Sequence, residues 1–306
     1  YFNINGAEDV NFTLDFGGPL ISINQPIDND IRHTNLYAYT YIKPVKELVV
    51  TIGGSGDFMK ADDPLVKDKD QFNPKFGAIW YPTPTTTVRA AAFRTVKRTL
   101  VTDQTLEPTQ IAGFNQFYDE LNATSAWTYG GAVNQKLPAH LYAGTEYSER
   151  DMDVPFTDFT GPSPVITTIN WKEKLSRNYL FWTPHDWVAL SAEYRWNRLD
   201  RDAQFTRNAK TVETNSVPLG VSFFHPSGLS AAFRGTWVNQ QGSFSRGADV
   251  DTYENGSSDF WVFDAALNYR LQERYGIISV GATNLFDRNF QMYDQDLKNS
   301  RMQPAR

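Results

Sequence analysis

The chain has 306 residues, no cysteine, a net charge of −6 and a pI near 5.3. Without cysteine there is no disulfide, no thiolate catalysis and no cysteine-ligated metal. The acidic balance argues against nucleic acid as the main partner, because phosphate binding needs a basic face.

Aromatic residues make up 14 % of the chain (8 Trp, 15 Tyr, 21 Phe), hydrophobic residues 41 %, and the mean hydropathy is −0.48. So many aromatics in so polar a chain suit amphipathic strands better than helices around a thick dry core. No window approaches the roughly 18 consecutive apolar residues of a membrane helix. A helical membrane protein is excluded; a β-barrel is not, since its lipid-facing signal falls on every second residue.

Residues 10–16 read as a strand, followed by a Gly-Gly-Pro break and a polar connection to about Asp30. Residues 32–43 alternate, with Tyr37, Tyr39 and Tyr41 opposite Leu36, Ala38, Thr40 and Ile42. A turn at 44–46 leads to a strand carrying Leu48, Val50 and Ile52, thinned by Gly53, Gly54 and Gly56, and then a charged loop over 60–70. Phe72, Phe76, Ala78 and Trp80 mark the next strand. A turn at 82–86 joins it to residues 87–97, where Arg89 and Arg94 take opposite faces.

A long segment, 98–125, contains Pro108, Phe114, Phe117 and Tyr118. Strands resume at 127–135 and 141–148 around a turn at 137–139, and a loop covers 149–164. The pair 166–182 and 187–197 flanks a turn at 183–186, with a charged loop over 198–210. The pair 212–224 and 229–238 flanks a turn at 225–228, with a polar loop over 239–258. Residues 261–271 alternate strictly, Trp261, Phe263, Ala265 and Leu267 against Val262, Asp264, Ala266 and Asn268, which is the period of a strand with one apolar face. The turn 272–274 and a strand over 275–285 complete the series.

The connections decide the fold class. Six short turns alternate with loops of about a dozen residues or more. A soluble sandwich has no reason to put every long loop at one end, whereas an outer-membrane barrel has short periplasmic turns and long extracellular loops. Strands of about 10 to 12 residues also match a tilted bilayer crossing. The expectation is an all-β, antiparallel, up-and-down transmembrane β-barrel of about 13 strands, incomplete, in the bacterial outer membrane. Residues 1–306 form a single barrel domain, the C-terminal portion of a longer chain, with 1–30 as a partial strand and loop. One closing strand is expected beyond residue 306.

The same alternation assigns the two faces. Trp80, Tyr81, Trp182, Trp187, Phe224 and Tyr275 gather beside the short turns, where an interfacial aromatic girdle belongs. With Trp261, Phe263 and Leu267 toward lipid, Asp264, Asn268 and Arg270 face the lumen, and the same reasoning sends in Ser191, Glu193, Arg195, Asn197, Arg234 and Thr236. Such charges line an aqueous path, hold a plug, or satisfy one another across strands. The four histidines, His33, His140, His185 and His225, have no partner at metal-ligand spacing and read as surface residues. Asp57, Asp62, Asp63, Asp68 and Asp70 lack the order of a calcium loop and read as solvated. No nucleophile, phosphate or dinucleotide motif is present, so neither an enzyme nor a cofactor is expected.

Residues 281–290, GATNLFDRNF, resemble the N-L-F-D-K-x-Y/F signature near the C-terminus of TonB-dependent receptor barrels, through Asn284, Leu285, Phe286 and Asp287. Gln303-Pro304-Ala305-Arg306 resembles the P-G-R before the last strand of that family. Residues 71–77, QFNPKFG, with Trp80 and Pro82, resemble its mid-barrel hairpin, and Leu106-Glu107-Pro108-Thr109-Gln110 sits where the family often has L-x-P-E. Residues 93–98 and 106–119 are similar to a subgroup in which such a barrel follows tetratricopeptide repeats. The resemblance implies a barrel that moves or docks a solute across the outer membrane, with long extracellular loops for recognition. It implies the bilayer and lipopolysaccharide as surroundings, and a TonB-type energiser or a periplasmic or surface protein as partner. The rival readings are a passive porin or exporter, or a barrel anchoring a surface complex or filament, with periplasmic helical repeats instead of a plug. A soluble glycan-binding β-protein is the fourth.

Overall fold

The computed structural model describes residues 2–14, 21–61, 68–98, 107–117, 121–158, 165–202, 209–245, 253–293 and 302–304. Phe16, Asp62, Asp63, Leu106, Tyr118, Ala305 and Arg306 lie outside them.

The strands, in chain order, are β1 (Phe2–Leu14), β2 (Ile21–Val45), β3 (Leu48–Ala61), β4 (Lys69–Thr83) and β5 (Thr86–Val96), then two short ones, β6 (Gln110–Ile111) and β7 (Phe114–Asn115). They continue with β8 (Ser125–Leu137), β9 (Leu141–Asp158), β10 (Val165–His185), β11 (Val188–Arg201), β12 (Thr211–Phe224), β13 (Leu229–Ser245), β14 (Tyr253–Arg270) and β15 (Ile277–Ala282). Two more short strands, β16 (Gln291–Tyr293) and β17 (Met302–Pro304), end the series. Thirteen of them form one sheet in simple chain order, β1 to β5 and β8 to β15. Every pairing in it is antiparallel. Among the described residues the sheet does not close on itself, and β1 and β15 remain its two edges.

The two faces are chemically opposite. Directly paired residues share a face, so register carries the assignment around the sheet. Arg89, Ala132, Glu146, Arg177, Arg195, Ser216, Val238 and Phe260 are paired in succession and make one row across β5 to β14. Residues on this face include the buried Ser55, Asp57, Asn73, Lys75, Thr95, Arg150 and Gln240. The opposite face exposes Ile52, Phe76, Val133, Leu180, Leu219, Phe233 and Leu267. Polar groups inside and large hydrophobics outside are the inverse of a water-soluble protein. This is an outer-membrane β-barrel seen in part, its apolar face toward lipid.

Several stretches expected as loops are strand. Residues 21–30 pair with β1, 149–158 with β8 and β10, and 239–245 with 253–259. The reason is physical: above the lipid a strand needs backbone partners but no apolar face, so its period leaves no trace in the sequence. An 18-residue strand rises about 60 Å along its axis, or about 45 Å along the membrane normal at a tilt of about 40°, against an apolar band of about 25 Å. The sheet therefore stands well clear of the bilayer at its open-loop end.

The short turns lie where expected. Gly228 has φ +92, and a Cβ there would stand 2.6 Å from the Arg270 carbonyl oxygen, so this turn requires glycine. Trp80, Tyr81, Trp182, Trp187, Phe224 and Tyr275 are all exposed beside these turns. The Trp182 indole donates to the Ala139 carbonyl (3.1 Å), and Trp187 sits edge-on between the rings of His185 (5.6 Å) and His225 (5.3 Å).

Phe233, outward on β13 and near mid-bilayer, provides a test. Phe233→Arg in the full-length protein should lower unfolding stability by about 2–4 kcal/mol, and Thr236→Arg on the inner face by much less. Denaturant titration in lipid vesicles, read by gel mobility, compares the two.

Candidate functional site

The connection from β5 to β8 does not stay outside. Residues 107–117 turn back and lie on the inner face. Ala112 (φ +48) and Gly113 (φ +84) give β6 and β7 a tight two-residue turn with both central φ angles positive. Ile111 and Phe114 are buried there against Ala91, Phe93 and Ala132. Glycines in the wall make the room: a Cβ on Gly77 would stand 2.8 Å from Ile111, and one on Gly130 2.5 Å from the Phe114 ring. Arg89 lies over that ring (5.2 Å) and donates to the Ala112 carbonyl (3.4 Å).

A buried ionic cluster holds the segment down. Asp57, 1 % exposed, faces His33 Nε2 at 3.0 Å and accepts from Asn35 at 2.9 Å, Asn73 at 2.7 Å and Arg98 Nε at 2.8 Å. Arg98 also pairs with Glu107 at 2.8 Å. Lys75 donates to Gln116, whose amide in turn donates to the Pro108 carbonyl. Two cations and two carboxylates thus offset each other away from water, the condition under which buried charges are tolerated. Asp57 is not a solvated loop acid and His33 is not a surface histidine: Asp57 sits 24 residues from His33 and 41 from Arg98 along the chain, and no local signal joins them.

A second inward segment comes from the other end of the sheet. Asn284 (φ +51) and Asp287 (φ +46) make a turn that non-glycine residues other than Asn and Asp rarely adopt. The Asn284 side chain donates to the Arg288 carbonyl (3.1 Å) and accepts its N–H (3.0 Å). The turn is clamped to β14 by Asn284 N–H to Asp264 (3.0 Å), by Leu285 N–H to the Phe263 carbonyl (2.8 Å), and by Phe286 edge-on to Phe263 (5.3 Å). The chain then passes to the inner face, where Phe290 stacks on Phe260 (4.1 Å) and Tyr293 meets Phe244 (5.5 Å) and Gln240.

Between the two inward segments lies a cavity of about 430 Å³ on the inner face of β8 to β13. Phe114 and Phe117 bound it on one side, Met292 and Tyr293 on the other, with Glu146, Arg177, Arg195, Asn197, Thr214 and Ser216 across its floor. Charges alternate along the floor. Arg89 reaches over Ala132 to Glu146 (2.6 Å), and Glu193 joins Arg177 (2.9 and 3.2 Å) to Arg195 (2.9 Å).

Of the residues singled out by sequence, Arg195 and Asn197 line this cavity, and Glu193 supports it through its bonds to Arg177 and Arg195. Arg234 and Asp264 are directly opposed two inward positions nearer the short turns, with Asp264 engaged by the Asn284 turn. Asn268 and Arg270 lie at the turn end, away from the cavity, the Arg270 N–H bonded to the Gly228 carbonyl (2.9 Å). Glu146, Arg177 and Gln240 were missed, and Arg89 was placed only opposite Arg94. Extending the parity argument from β11 to β10 and β9 would have found Arg177 and Glu146.

No family model matches the chain, and no curated protein matches it. Solved structures do. Pseudomonas aeruginosa FpvA bound to heterologous pyoverdines superposes with a TM-score of 0.61 at 17 % identity, over 87 % of this chain and 36 % of that one. The ferric enterobactin receptor PfeA of the same organism gives 0.60 at 16 %, over 87 % and 41 %. The Escherichia coli outer membrane transporter YddB gives 0.56 at 15 %, over 89 % and 43 %. The fold is that of TonB-dependent outer-membrane receptors. The chain thus spans well under half the length of these receptors.

The inward hairpin can be released in two independent ways. With Arg98→Gln, a buried carboxylate loses its partner, at a cost of about 3–5 kcal/mol. With Gly130→Leu, the side chain takes the place of Phe114. Both should open residues 107–117 to added protease in the purified full-length protein while the barrel stays folded; Arg198→Gln should not.

Proposed function

We propose that this chain is the wall of a TonB-dependent-receptor-like transporter that moves or docks a solute across the bacterial outer membrane, with its long extracellular loops doing the recognition. The observation that carries the reading is the inner face: a polar floor, charges of alternating sign and an open cavity, framed by two segments of the chain's own making. An anchoring barrel would need only to fill its lumen. Among the described residues, the part next to β2 to β8 is filled, by Asp57, Asn73, Lys75, Phe93 and Ile111, and the part along β9 to β13 holds the cavity.

The similar proteins are receptors and transporters, which fits a non-catalytic role. A TonB-type energiser as partner rests on that similarity. Lipopolysaccharide as the outer neighbour rests on chemistry: past the apolar band, the outward face carries ion pairs such as Lys172 with Asp151 (2.9 Å) and Arg198 with Asp200 (2.9 Å). The passive-porin and surface-anchor readings are the rivals.

Energised uptake separates them. A strain deleted for the full-length gene should lose uptake of the solute, and deletion of the TonB-type energiser should reproduce the loss. Uptake that persists without the energiser, with steady single-channel conductance in planar bilayers, would point to a porin; neither uptake nor conductance would point to an anchor.

A further inference from the structure

The arrangement of Arg177 and Arg195 is not what a wall needs. They are directly opposite each other in the β10–β11 register, and like charges so placed destabilise a sheet. One carboxylate serves both: Glu193 Oε2 accepts from Nε of each arginine at 2.9 Å. Glu193 is nearly buried (11 % exposed), whereas Arg177 and Arg195 are 46 % and 54 % exposed. The carboxylate grips the Nε edge of each guanidinium and leaves one terminal nitrogen of each, Nη1, without a partner among the described residues, beside the cavity.

The surrounding charges do not neutralise the pair. Glu146, the acid on the cavity floor, is taken by Arg89, and Glu173 by Arg150 at 2.8 Å. Among the described residues in and beside the floor, three cations (Arg89, Arg177 and Arg195) therefore face two carboxylates (Glu146 and Glu193), in a chain whose net charge is −6. Arg201 lies on Trp171 (4.4 Å) and donates to the hydroxyl of the cavity residue Tyr293 (3.3 Å). Next to the arginines, Asn197 with Thr214 and Arg195 with Ser216 are paired across β11 and β12, so hydroxyl and amide groups flank the excess charge. The aromatic rings of Phe114, Phe117 and Tyr293 stand at the sides of the cavity.

We propose that this cavity binds the oxyanion of a solute, a carboxylate or phosphate group, between Arg177 and Arg195, with Glu193 as the residue that positions both guanidiniums. The free Nη1 of each guanidinium suits such a group because a charged donor makes a short, strong hydrogen bond to an oxyanion. A volume of about 430 Å³ accepts a small metabolite and no folded partner. The assignment rests on the solute-handling reading of the inner face, but binding at equilibrium needs neither energiser nor transport, so the two stand or fall separately.

Isothermal titration of the purified full-length protein in detergent tests it, with citrate and inorganic phosphate as probes and sucrose as the uncharged comparison. Saturable binding of at least one anion and none of sucrose is expected, weakening as salt is raised. Citrate binding alone would assign a carboxylate, phosphate binding alone a phosphate group. Arg177→Gln and Arg195→Gln should each weaken binding by tenfold or more, and Arg195→Lys less than Arg195→Gln. Arg198→Gln, which removes an outward charge, should change nothing, and heat-shifted gel mobility shows that each variant is folded. No saturable heat with either anion, or undiminished affinity in the two glutamine variants, would overturn the proposal. Anion binding without energised uptake would sink the transport reading and leave this one intact.

Discussion

Everything in this molecule depends on the solvent around it. Hydrocarbon offers no hydrogen bonds, so each backbone N–H and C=O crossing it must find its partner within the sheet. Thirteen strands in simple chain order meet that demand by the shortest route, each strand between the edges β1 and β15 pairing with its neighbour on either side. With period two, every other side chain is then handed to lipid and the remainder to the interior. Phe233 and Leu267 on one side, and Asp57 and Lys75 on the other, are two outcomes of one constraint.

The same constraint makes the interior permissive. Because the lipid face supplies the apolar contact, the inner face is free to hold charge, provided the charges meet each other. They do so in two ways. Around Asp57, Arg98 and Glu107 the charges are buried and offset, and serve to hold down a hairpin. Around Glu193, which is nearly buried, the two arginines Arg177 and Arg195 are half exposed and outnumber it. The first arrangement is what a structural cluster requires, and the second has charge to spare.

How much of this could be read from the chain depends on distance along it. Strand period and the alternation of short and long connections are local, and they were enough for the architecture and for the outward run Trp261, Phe263 and Leu267. The extensions of β9, β10, β13 and β14 at the long-loop end were illegible because water on both faces erases the period. The inward hairpin was illegible for a different reason. Its signal is distributed over Gly77 and Gly130, which clear the space, and over Asp57 and Arg98, which hold it. None of these means anything until the register is known. Glu193 and Arg195 were found by parity on one strand. Arg177 and Glu146 obey the same parity on the two strands before it.

The Asn284 to Asp287 motif shows how a family-like signature acquires a physical meaning. Its asparagine and aspartate are tolerant of positive φ, and the asparagine side chain closes its own turn. The turn stands at a crossing point: Phe286 is still outside, against Phe263, whereas Phe290 is already inside, on Phe260. Phe260 and Phe263 are on opposite faces of β14, so between them the chain crosses the edge of β14 that β15, paired only with residues 265–270, leaves free. Beyond the crossing, Met292 and Tyr293 form one side of the cavity; Phe114 and Phe117, from the far side of the sheet, form the other. The motif therefore does more than end a strand. It directs the chain inward, and the cavity is bounded as it is because two loops that could have faced the medium are tied to the wall instead.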